Sequence, residues 1–157
     1  SSLKPNRPPT LKARRGGPLV DMLLESYRLE IRPMPGAEAL LRAASAKYPL
    51  AVASGSPAEV LRHALEELGW DEIFEVVLSS DEVAHAKPAP DVFLEAARRL
   101  GAAPETCLVI EDSPLGVRAA KAAGMTCWSV PEKEHPEIAQ TADAVFANLD
   151  DVRQALG

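Results

Sequence analysis

Three short segments of the chain gather the residue types that chemistry needs. The first is Ser54-Gly55-Ser56-Pro57. Glycine lets a backbone come close to a ligand. A serine cap with proline at the first helical position opens a helix whose free N–H groups suit a phosphate, and the Ser54 hydroxyl would be a further donor. The same four residues also make an ordinary capped turn. The second is Lys87, in Ala86-Lys87-Pro88-Ala89-Pro90-Asp91. Each proline biases the residue before it toward extended backbone, so the ammonium would have less entropy to lose on being held. The plainer reading is a solvated loop lysine. The third is Glu111-Asp112-Ser113-Pro114. Two adjacent carboxylates after an apolar run repel unless a cation compensates them. Oxygen-only ligands beside a phosphate point to Mg²⁺, which keeps several waters and needs only one or two carboxylates. A helix cap made by Asp112 or Ser113 would explain those two residues but not Glu111.

Each segment follows an apolar run with the length of a strand. Runs at 49–53, 75–79, 107–111, 126–130 and 144–146 lack alternation, as expected for strands covered on both faces. Helical patterns fill 37–46, 57–68, 91–100, 114–123 and 149–156, with Gly69, Gly101 and Gly124 as stops. Strands alternating with helices of about ten residues predict an α/β domain, a Rossmann-like parallel sheet with helices on both faces. In such sheets ligands bind at the carboxyl ends of the strands, where all three segments lie. Upstream, the spacing of Leu19, Met22, Leu23, Tyr27 and Ile31 predicts a helix over 19–31. Residues 1–18, rich in proline and basic side chains, read as a disordered tail.

Composition bounds the rest. A chain of 157 residues, 46% hydrophobic and 25% charged, is one soluble-type domain with a core. No apolar run is long enough to span a bilayer. The basic head lacks an apolar stretch behind it and does not read as a secretory signal. Two cysteines indicate a reducing compartment, so the expected location is the cytoplasm. Cys107 and Cys127 read as buried thiols, Trp70 and Trp128 as packing residues, and Glu132, Glu134, His135 and Glu137 as a solvated loop. Lys4, Arg7, Lys12, Arg14 and Arg15 make the head basic, yet the net charge is −6. An acidic body and a head without aromatic residues argue against nucleic acid as a partner.

Taken together, a hydroxyl at a helix start, a lysine and a carboxylate pair after successive strands resemble the haloacid dehalogenase superfamily. MPGAEALL, AVASGSP, AKPAPDVFLEAARRLG and LVIEDSPLGVRAAKAAGM, within residues 33–157, resemble its β-phosphoglucomutase-like, sugar-phosphatase branch. The resemblance implies a phosphatase or phosphomutase acting with Mg²⁺ on small phosphorylated metabolites such as sugar phosphates. It implies phosphate binding by Ser54, Gly55, Ser56 and Lys87, catalytic roles for Ser54 and Lys87, and metal binding by Glu111 and Asp112. Ala86 departs from the glycine common there.

The larger departure is at the front. The family's nucleophile lies in an Asp-x-Asp-Gly-Thr motif on an opening strand, and no Asp-x-Asp occurs here. Its first aspartate attacks phosphorus and its second serves as general acid and base. Neither His63 nor His85 is evidently placed to make Ser54 a substitute. The expectation is therefore a truncated core (33–157) missing its central strand, with residues 19–32 as a remnant of the cap or a linker, and residues 1–18 foreign to the fold. Such a chain would be inactive alone, or a non-catalytic remnant that binds phosphate, Mg²⁺ or a protein. An incomplete sheet would also favour self-association.

Overall fold

The computed structural model describes residues 19–22, 35–131 and 133–157. Along the chain run β1 (Leu19–Met22), α1 (Ala37–Ser45), β2 (Leu50–Ser54), α2 (Ala58–Leu68), β3 (Val76–Ser79), α3 (Asp91–Leu100), β4 (Leu108–Glu111), α4 (Pro114–Ala122), β5 (Thr126–Ser129), α5 (Pro136–Thr141), β6 (Ala144–Val145) and α6 (Leu149–Leu156). A single turn of 3₁₀ helix, Ser80–Glu82, follows β3, and another, Pro104–Thr106, precedes β4. The strands form one sheet in the order β3-β2-β1-β4-β5-β6, with every pairing parallel. This is the α/β architecture the alternating pattern predicts.

The apolar runs are continuous because helices cover both faces. Strand residues alternate between two cores. Leu50, Val52, Leu108, Ile110 and Trp128 pack with α1, α2 and α6. Ala51, Ala53, Leu78, Val109 and Cys127 pack with α3, α4 and α5. Trp70 is buried with the first group, and both cysteines with the second. Gly69 and Gly101 end α2 and α3 in the left-handed region, where a side chain would be strained.

The main correction concerns the centre of the sheet. Its central strand is not missing, because β1 lies between β2 and β4 and pairs with both. Leu19 is level with Leu50 and Leu108, and Val20 with Ala51 and Val109; the ladder to β4 is irregular between Val20 and Met22. Residues 19–22 are thus strand, not the start of a helix. Their apolar spacing fits either element, and a slot needing backbone partners on both sides decides between them. The gap on which self-association was expected is filled. The rest of the expected helix and the expected disordered tail lie outside the described residues. A second correction is α5, in a stretch read as a solvated loop. Pro136 opens it, and the His135 ring nitrogen accepts from the Glu137 N–H.

Because β1 is paired on both sides, losing one of its amides should disturb the sheet. Val20→Pro is expected to cost about 2–4 kcal/mol in urea unfolding followed by circular dichroism. A loss below about 0.5 kcal/mol would mean that β1 contributes little to the folded sheet.

Candidate active site

The loops after β2, β3 and β4 bring the three segments together on the carboxyl edge of the sheet, around the end of β1. Lys87 connects them. Its Nζ donates to Glu111 Oε2 at 3.0 Å and lies 3.4 Å from the Ala53 carbonyl oxygen. Ala53 is on β2 and Glu111 on β4, the two neighbours of β1, so the ammonium bridges the strands that flank the centre. It also stands 4.7 Å from the centre of the Phe93 ring, within cation–π range. The side chains of Lys87 and Glu111 are 6% and 1% exposed. This excludes the solvated-lysine reading. The Lys87–Pro88 peptide is cis.

Glu111 is held from every side. Its Oε1 accepts from the Asp112 N–H at 3.1 Å, and the Ser113 N–H and hydroxyl lie 3.4 Å away. These groups stand at the start of α4, where the helix end favours negative charge. The Ser129 hydroxyl donates to the Glu111 carbonyl at 2.9 Å. Ser113 is the α4 cap, its hydroxyl accepting from the Gly116 N–H at 3.1 Å. Gly116 is required: a Cβ there would fall inside the Glu111 carboxyl group. Asp112, the next carboxylate, is half-buried.

The turn after β2 differs in detail from the expected cap. α2 starts at Ala58 with Pro57 in the cap position, so Ser56 does not cap it. Instead the Ser54 hydroxyl accepts from the Ser56 N–H at 3.1 Å. That contact uses an oxygen lone pair and leaves the hydroxyl hydrogen able to donate. Ser54 is fully buried, Ser56 half-buried and Gly55 exposed. A Cβ on Gly55 would meet no atom within 4 Å. Protein packing therefore does not require glycine there.

Other candidates stand apart. Asp91 does not cap α3 through its side chain; its carboxylate accepts from the His85 N–H at 3.1 Å and faces His85 Nδ1 at the same distance. His63 is exposed on α2 beside Glu67. The two histidines thus face Glu67 and Asp91, not Ser54. Ser79 and Ser80 lie outside the quoted segments, and Phe93 and Gly116 lie inside them without an assigned role; their contacts mark all four as part of the site. Farther along α3, hydrogen bonds from Arg98 and then Arg99 hold the Glu95 carboxyl down to about 2.

Among the described residues no three His, Cys, Asp or Glu side chains converge as a metal cage. The Glu111–Asp112 pair is nevertheless a hard-oxygen donor set of the kind Mg²⁺ accepts alongside water and phosphate. Both Glu111 oxygens already accept from protein groups, Oε2 from Lys87 and Oε1 from the Asp112 N–H. Gly116 offers a test of this geometry. Alanine in a helix normally gains about 1 kcal/mol over glycine. Here the clash with Glu111 should win, so Gly116→Ala is expected to destabilise by about 1–3 kcal/mol in urea unfolding. A gain in stability would mean that Glu111 does not occupy this position.

Similarity to known proteins agrees with this arrangement. A family model for haloacid dehalogenase-like hydrolases matches residues 4–124, taking in β1 and all three site segments and reaching back into the basic head. The bifunctional riboflavin kinase/FMN phosphatase of Arabidopsis thaliana is 42% identical over 127 residues, 79% of this chain and 34% of that protein. Fructose-1-phosphate phosphatase YqaB of Escherichia coli is 38% identical over 109 residues, 69% of this chain and 55% of that protein. The chain thus spans between a third and little more than half of these curated relatives. The crystal structure of a hydrolase of this family from Deinococcus radiodurans, with bound phosphate and sodium, superposes with a TM-score of 0.69 at 36% identity, covering 78% of this chain and 58% of that one. With the parallel sheet, the buried lysine–glutamate pair and the family match over most of its length, the chain belongs to the haloacid dehalogenase-like hydrolases.

Proposed function

We propose that this chain carries the phosphate- and metal-binding part of a phosphatase site for small phosphomonoesters, sugar phosphates among them, and that by itself it turns them over very slowly or not at all. The observation that supports this best is the buried Lys87 ammonium, bridging Ala53 and Glu111 beside the Ser54–Ser56 turn. A phosphoryl group there would meet the Ser54 hydroxyl, backbone N–H groups at the start of α2, and the lysine charge. Phosphoryl transfer depends mainly on such positioning and charge neutralisation. Mg²⁺, held by Asp112 with Glu111, would neutralise further phosphate charge. The named activities of the relatives, on FMN and fructose 1-phosphate, are of the same substrate class.

The limit on turnover comes from β1. It carries Asp21, followed by Met22 and Leu23, where the family pattern has a second aspartate two residues after the first. By its place in the sequence Asp21 is the candidate nucleophile, but leucine can neither protonate a leaving group nor activate water. A binding role without catalysis is the second reading, favoured by this same absence of Asp-x-Asp.

The test combines isothermal titration with orthophosphate, with and without Mg²⁺, and phosphate release from a panel of phosphomonoesters. Expected are Mg²⁺-dependent binding, release at or near background, and unchanged folding but at least about tenfold weaker binding in Gly55→Ala, whose methyl meets only an incoming ligand. Binding unaffected by Gly55→Ala would remove the turn from the site. Brisk Mg²⁺-dependent release, lost in Asp21→Asn, would overturn the claim of low turnover.

A further inference from the structure

The two serines that end β3 and begin the turn after it make contacts that no motif foretells. The Ser80 hydroxyl donates to the Ser54 carbonyl at 3.2 Å, and the buried Ser79 hydroxyl donates to the Ser56 carbonyl at 2.6 Å. Ser79 is itself fixed. Its hydroxyl accepts from the Asp81 N–H at 3.1 Å, and its own N–H donates to Glu82 Oε2 at 2.9 Å, a reciprocal capping box. Glu82 lies 3.6 Å from Arg99 of α3, which also pairs with Glu95.

These contacts have a directional consequence. In a trans peptide the C=O and the following N–H point in opposite directions. The sheet order is β3-β2-β1-β4 at this end, so a Ser54 carbonyl drawn toward Ser80 turns the Gly55 N–H away from β3. That is the side of β1 and β4, over which the Lys87 ammonium stands. The Ser56 carbonyl belongs to a peptide with Pro57, which has no N–H to offer. Tied to Ser79, that oxygen is kept from facing an anion.

We infer that Ser80, supported by Ser79, is a positioning residue that aims the Gly55 N–H at a bound phosphate group. It also ties the phosphate turn to the loop bearing Lys87, so two parts of the site are set by one contact. The inference rests on the proposed phosphate site, and its test separates the two.

The experiment is a ¹⁵N–¹H titration of the full chain with orthophosphate in Mg²⁺ buffer, on the natural sequence, Ser80→Ala and Ser80→Thr. The natural protein is expected to show a downfield shift of the Gly55 amide proton. Ser80→Ala should bind about fivefold more weakly, the equivalent of one hydrogen bond, with a reduced Gly55 shift. Ser80→Thr, which keeps the hydroxyl, should bind within about twofold of the natural protein. A purely structural role would lower the melting temperature of Ser80→Ala and leave affinity and the Gly55 shift unchanged, which would overturn the inference alone. No phosphate response in the natural protein would overturn the site and the inference together.

Discussion

A buried ion pair is the constraint around which this molecule is arranged. Removing an ammonium and a carboxylate from water costs several kcal/mol per ion, and their attraction offsets this only when further hydrogen bonds complete both groups. Lys87 and Glu111 meet that condition through the Ala53 carbonyl, the Phe93 face and the start of α4. Each partner then fixes something else. Gly116 must lack a side chain because the glutamate lies across it, and Ser113 must cap α4 so that the helix end faces the carboxylate. Ser129 ties the Glu111 backbone to the next strand. A charge pair this enclosed is weak evidence for extra stability. It is better understood as a device that holds one positive charge at a defined point above the central strand.

The sheet supplies that point. Parallel strands all end on the same edge, so residues far apart in sequence reach one place without long loops. Small residues matter here as much as charged ones. Ala51 and Ala53 on β2 leave room for α3, whose Phe93 reaches under the lysine. The β3 end acts as a brace for the β2 turn, and α3 braces the β3 end in turn through Arg99 and Glu82. The phosphate turn, the lysine loop and the acidic segment therefore form one connected structure.

Much of this was legible in the sequence, for identifiable reasons. Apolar runs buried on two faces stand out from helices of ten residues, and β2, β3, β4 and β5 lie within one residue of the expected limits. Lys87, Ser54 and Glu111 were legible because strand ends predict where chemistry collects. β1 was not, because four residues with helix-compatible spacing are assigned only by the slot they fill. α5 was hidden by a charged run that begins before its proline. Ser79, Ser80, Phe93 and Gly116 act through partners 5 to 26 residues away, or across strands, and such contacts leave no local pattern. The helix cap at Ser56 was misplaced by one residue, because α2 begins at Ala58 with Pro57 in the cap position.

The Lys87–Glu111 pair holds the site together, and the direct measurement is a double-mutant cycle in urea unfolding with Lys87→Met, Glu111→Gln and both together. Each single change should cost about 3–5 kcal/mol by removing one member of a buried charge pair, and the double variant should cost clearly less than their sum. Additive effects, with no coupling beyond about 0.5 kcal/mol, would show that the two charges do not hold one another and would remove the basis of the site described here.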